Sequence, residues 1–169
     1  MNPLLHTLLS VLLLGVGATL TFDLTATLLK VAFKVPPSNI CLVGRWLSHM
    51  PGGIFSDASI LAAPRKSWEC AIGWIAHYLI GTGFALAFVT LVGQPWLDRP
   101  TPIPAVMFGV GTVLAPFLIM QPAMGLGVAA SRAPDPRLAR LRSLINHLAF
   151  GVGLYLTALW AMEIVGMVI

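Results

Sequence analysis

The sequence predicts an all-α fold: a polytopic membrane protein of four transmembrane helices with both termini on the outer side. Three observations predict it. Of 169 residues, 57% are hydrophobic and 9% charged, where a soluble domain carries about 25% charged residues, and the mean hydropathy is +0.88. Four apolar runs, at 4–29, 69–93, 103–127 and 143–167, reach the ~20 residues that a bilayer crossing needs. Lysine and arginine gather on alternate loops, as the positive-inside rule requires. The length suits a single integral membrane domain over 1–169.

Each run has local stop or start signals. Lys30 and Lys34 close the first and Pro36-Pro37 end it. Its N-terminal stretch lacks the basic n-region of a secretory signal, so a retained helix is expected. Ser67 is the expected N-cap of the second. The turn-rich "GQPWLDRPTPIP" separates the second run from the third. "SRAPDPRLARLR" separates the third from the fourth, where Asp135-Pro136 reads as an N-cap followed by proline at N1. The fourth helix should therefore begin in water near Pro136.

The loop over 34–67 is long for a connector. Ile40, Val43, Leu47 and Met50 in "SNICLVGRWLSHM" recur at helical spacing, with Ser38 as the expected cap and "PGG" as the breaker. Arg45 and Trp46 suggest an interfacial amphipathic segment; an ordinary packed loop is the alternative. "SDASILAAP" suggests a second short helix.

Orientation follows from charge. The first loop holds Lys30, Lys34, Arg45, Arg65 and Lys66; the third holds Arg132, Arg137, Arg140 and Arg142; the second holds only Arg99. The first and third loops are therefore expected in the cytoplasm of a bacterial inner-membrane protein. Trp68 would stand in the inner aromatic belt, Trp96 and Trp160 in the outer, and Glu163 near the outer interface. The pI of 9.6 then reflects topology rather than nucleic-acid binding. Cys41 and Cys70 fall on the cytoplasmic side and are expected to be free thiols.

Two stretches repeat. "HYLIGTGFALAF" from His77 and "HLAFGVGLYLTA" from His147 place His77, Gly81 and Gly83 opposite His147, Gly151 and Gly153 at an offset of 70. Gly15 and Gly17 match Gly109 and Gly111 at an offset of 94. Helices one and two thus resemble helices three and four, which suggests a parallel 2+2 duplication; coincidence between small-residue faces is the alternative. Gly73 extends the stripe of Gly81. These glycines are expected to allow close helix approach in lipid.

Asp23 is the most informative residue. A carboxylate in a membrane helix costs about 2.5–3.5 kcal/mol on insertion scales, so it faces protein or a cavity. Counting from the basic loop residues at 1.5 Å per residue puts Asp23 about 10 Å deep, His77 about 13 Å, Gln121 about 16 Å and His147 about 8 Å, with Asn146 beside His147. They form one polar layer in the cytoplasmic half. Three readings compete. In the structural one, Asp23 accepts hydrogen bonds from His77 and Gln121. In the transport one, an Asp–His pair carries protons or an ion. In the redox one, His77 and His147 are axial ligands of a haem. No enzyme motif, metal site or cofactor motif stands out. Transport or permeation of a small solute or ion is the leading expectation. The alternatives are an accessory subunit of a larger membrane complex and a haem-bearing redox protein. The expected partners are the bilayer and either further copies of this chain or a larger complex.

"LVGRWLSHMPGGIF", "GWIAHYLIGTGFALA" and "PFLIMQPAMGLGVAASRAPDPRLARLRSLINHLAFGVGLYL" together resemble an uncharacterised family of small bacterial inner-membrane proteins, a domain of unknown function. The resemblance covers nearly the whole chain. It implies a four-helix membrane architecture and supplies no catalytic residues.

Overall fold

Four helices are long and apolar enough to cross a membrane in the computed structural model, which describes the backbone of residues 3–168 and the side chains of Leu5 and residues 7–161. Glu163 lies outside the described side chains. The described residues contain helices and loops and no strand. The chain is an all-α integral membrane protein by this architecture.

Helix α1 (Pro3–Phe33) runs one turn past its expected end. Lys34 takes a left-handed conformation, φ 59°, Val35 N–H returns to the Leu29 carbonyl, and Pro36 then forbids continuation. Helix α2 (Ile40–His49) is capped by Asn39, whose Oδ1 accepts from Cys41 N–H at 3.1 Å, rather than by Ser38. Helix α3 (Glu69–Val92) begins after Trp68, which is left-handed and supplies no side-chain cap. The expected Ser67 cap is replaced by Glu69, whose carboxylate accepts from Lys66 N–H at 3.1 Å. A short α4 (Gln94–Asp98) lies in the second loop. There Trp96 is buried against Phe88, with ring centroids 4.7 Å apart, and so serves the core rather than an aromatic belt.

The third span is broken. Helix α5 (Pro102–Gly111) stops at Thr112, a π segment covers Pro116–Met120, and α6 (Gln121–Ala123) ends it. Pro116 has no N–H for the Thr112 carbonyl, and its ring crowds that carbonyl, which accounts for the break. Helix α7 (Pro136–Val168) starts where Asp135 Oδ1 accepts from Leu138 N–H at 3.0 Å, as the Asp-Pro pair predicts.

Helices α1 and α7 pack along each other at the centre, α3 flanks α1, α5 flanks α7, and α3 barely touches α5. The closest approaches are made by glycine. A methyl group at Gly15 or Gly81 would overlap Thr82 or Thr19, and Gly109 and Gly151 lie directly on each other's helices. Gly17 meets Thr157, and Gly153 meets Ala18 and Thr21, in the α1–α7 seam. Gly73 packs on the Ile40 carbonyl of α2, not on a membrane helix. Gly83 and Gly111 have no neighbour within 4 Å of the position a Cβ would take, so they serve no helix contact here. The apolar core, with Leu14, Phe88, Phe150 and Leu154, sits toward the second loop.

The first loop is packed on the helix ends. Arg45 is 5% exposed. Its Nε and Nη2 grip Glu69 at 2.8 and 2.9 Å, and Nη1 donates to the carbonyls of Ile60, Leu61 and Ala63, each at 3.2 Å. The hydrogen bonds to Glu69 raise the Arg45 pKa above its ordinary value. His49 Nε2 pairs with the Pro64 carbonyl at 3.1 Å. "SDASILAAP" forms turns instead of a helix, and docks on the end of the third span through Asp57 N–H to Ala123 O at 2.8 Å. Gly44 lies so close to the Glu69 carbonyl that α2 and α3 touch backbone to backbone. Cys41 and Cys70, on these two helices, form a disulfide with Cα atoms 4.0 Å apart. This overturns the expectation of free thiols. The cause is helix contact: two small residues, Gly44 and Gly73, bring α2 against α3 and place the sulfurs together.

Candidate functional site

Asp23 lies ten residues before the end of α1, and His77 and Tyr78 lie two turns into α3. The Gly15–Thr82 and Gly81–Thr19 contacts set the separation of these helices. At that separation the Asp23 carboxylate meets both partners. His77 Nε2 lies 2.9 Å from Asp23 Oδ1, and Tyr78 O–H donates to Asp23 Oδ2 at 3.1 Å. An ionised Asp23 accepts through both oxygens, and in that state His77 donates from Nε2. The side chains of His77 and Asp23 keep 16% and 21% of their exposure, so the pair is neither sealed nor open.

His147 lies apart from Asp23. Its Nδ1 is 2.8 Å from Thr112 Oγ1, while the same hydroxyl lies 2.6 Å from the Gly109 carbonyl. Thr112 donates its single proton to that carbonyl, so His147 Nδ1 is the donor to Thr112. Phe22 stands between the two histidines, with its ring edge-on to His77 at 5.4 Å and to His147 at 5.5 Å. Trp74 adds a further edge contact to His77 at 5.8 Å.

The expected polar layer is thus partly assembled. Asp23 and His77 are brought together. Gln121 is buried but is not an Asp23 partner; its Oε1 and the Oδ1 of buried Asn146 have no hydrogen-bond partner among protein atoms. Tyr78 takes the place expected for Gln121. The break at Thr112 and the π segment displace Gln121 from the regular helix on which its depth was counted. The "HY" dipeptide was the signal for Tyr78: it lies one turn before Thr82, which packs on α1, and so shares the α1-facing side. The haem arrangement does not fit. Phe22 packs edge-on against both histidines, in the space that a haem ligated by both would occupy. No cluster of three or more His, Cys, Asp or Glu side chains capable of holding a metal ion occurs among the described residues.

The model of a family described as a protein of unknown function (DUF2938) matches residues 12–161. The chain belongs to that family. No curated protein and no solved structure matches it. The DUF2938 match takes in the Asp23–His77–Tyr78 cluster, the Arg45–Glu69 pair and the broken third span.

Proposed function

We propose that this DUF2938 protein is a bacterial inner-membrane carrier or permeation protein for a small solute or ion, in which Asp23 and His77 form a proton-binding site. The observation that carries the reading is the carboxylate–imidazole–phenol cluster held between two membrane spans with partial exposure. A carboxylate at that depth is costly and is retained where it binds protons or ions. Histidine titrates near neutrality and can pass a proton to a carboxylate acceptor. The ratio of basic residues between the loops supports a location with the first and third loops in the cytoplasm.

The test is charge movement in proteoliposomes challenged with a panel of monovalent ions, weak acids and amines across an imposed pH gradient. Wild-type protein is expected to give a pH-coupled signal. Asp23→Asn and His77→Gln keep hydrogen bonding but lose titration, so both should abolish the signal while keeping the thermal midpoint. Equal signals from all three proteins would remove the proton site. No signal from wild type, with recovery of a stoichiometric membrane partner, would turn the reading to an accessory subunit.

A further inference from the structure

Between α3 and the third span lies a cleft of about 420 Å³ lined by Phe84, Ala87, Phe108, Gly111, Thr112 and Ala115. The sequence offsets of 70 and 94 carry these residues onto the other pair of helices. Phe84 and Ala87 map onto Leu154 and Thr157 of α7. Phe108, Gly111, Thr112 and Ala115 map onto Leu14, Gly17, Ala18 and Thr21 of α1. Those are the residues of the tightly closed α1–α7 seam: Leu14, Ala18 and Leu154 are 1%, 0% and 0% exposed, Gly17 meets Thr157, and Gly153 meets Ala18 and Thr21. Every residue lining the open cleft is the repeat image of a residue in the closed seam. Gly83 and Gly111, the images of Gly153 and Gly17, have nothing within 4 Å.

We propose that the α3–third-span cleft is the open form of a second seam, and that the protein closes it by packing α3 on the third span as α1 packs on α7. The two faces remain complementary in bulk. Phenylalanine replaces leucine at two image positions and threonine replaces alanine at one, while alanine replaces threonine at two, so most of the added bulk is offset, as in tolerated core exchanges. Closure needs no hydrophobic effect in lipid; it exchanges lipid contacts for protein contacts, and small residues allow the approach. Two such states can lie within a few kcal/mol of each other, a gap at which both are populated. The lining also contains its own hinge. Thr112 and Ala115 flank the break in the third span, and a π segment follows directly, a place where helices bend.

This inference does not rest on the proton-site reading, because helix separation is measured without any solute. The experiment is double electron–electron resonance on the whole protein in lipid nanodiscs. One spin-label pair sits at Leu86→Cys and Leu114→Cys, exposed positions on α3 and the third span; the control pair sits at Leu20→Cys and Leu156→Cys, their exposed images on α1 and α7. Cys41→Ser and Cys70→Ser remove the native thiols, with the Arg45–Glu69 pair still holding α2 on α3, and protein without introduced cysteine gives the labelling blank. The control pair should show one narrow distance. The cleft pair should show two, the shorter matching the control. Adding Gly83→Leu and Gly111→Leu should remove the shorter distance with no loss of thermal midpoint, because both side chains enter open space. A single long distance in bilayers of every thickness would overturn closure. A short distance that survives the two leucines would do so as well. A short distance lost on dilution with unlabelled protein would assign the cleft to a second copy of the chain, against closure.

Discussion

At the scale of the residue, Asp23 separates structural from chemical roles. It accepts two hydrogen bonds across the α1–α3 contact. Tyr78→Phe removes one of them and should cost about 0.6 kcal/mol, the average for interhelical bonds in membranes. Asp23→Leu strands the His77 N–H and the Tyr78 O–H together, and a stranded buried donor costs about 1–3 kcal/mol. The thermal midpoint in detergent should therefore fall in the order wild type, Tyr78→Phe, Asp23→Leu, with Asp23→Asn close to wild type. Asp23→Leu as stable as wild type would show that the cluster does not hold the helices together. The importance of Asp23 was legible in the sequence, because an acid in a membrane-spanning run must face protein or a cavity rather than lipid. Its second partner was not. Gln121 reaches the depth of Asp23 only along an unbroken helix, and Pro116 breaks the third span.

At the scale of the element, glycine positions sort into those that set helix separation and those that face open space. Gly44 is the sharpest case, since a Cβ there would overlap the backbone carbonyl of Glu69, which cannot move without unwinding the first turn of α3. Gly44→Ala should lift α2 from α3 and prevent the Cys41–Cys70 bond, read as a mobility shift on non-reducing gels. An intact disulfide in this variant would mean that α2 has another hold on α3 strong enough to absorb the overlap. Gly109→Leu should destabilise strongly for the same reason, whereas Gly83→Ala should stay within about 0.5 kcal/mol, as open surface changes do. The four spans and the cap at Asp135 could be read from the sequence because hydropathy and Asp-Pro chemistry are local. The burial of Arg45 could not. Its partners are Glu69, 24 residues away, and three carbonyls of a loop with no regular pattern, so nothing in "GRW" distinguishes a packed guanidinium from one at a lipid interface.

At the scale of the whole molecule, charge and covalent bonding make opposite statements about orientation. The first and third loops, with the helix ends beside them, carry nine lysines and arginines against one on the second loop, which favours the cytoplasm for the first and third. The Cys41–Cys70 disulfide lies on that same face, and stable disulfides belong to oxidising compartments. Charge bias acts while the helices insert and is spread over two loops, so no single residue can reverse it. The cysteines are adjacent because α2 packs on α3, and the Arg45–Glu69 pair holds that contact with or without a covalent bond. The orientation with both termini outside is therefore the one expected. A C-terminal reporter active only in the cytoplasm should give no signal in it. The disulfide then faces a thiol pool able to open it, and its occupancy in acid-trapped cells should rise after exposure to a thiol oxidant. A strong reporter signal, together with a disulfide that is complete before any oxidant is added, would place the basic loops outside and carry the Asp23 cluster into the opposite leaflet.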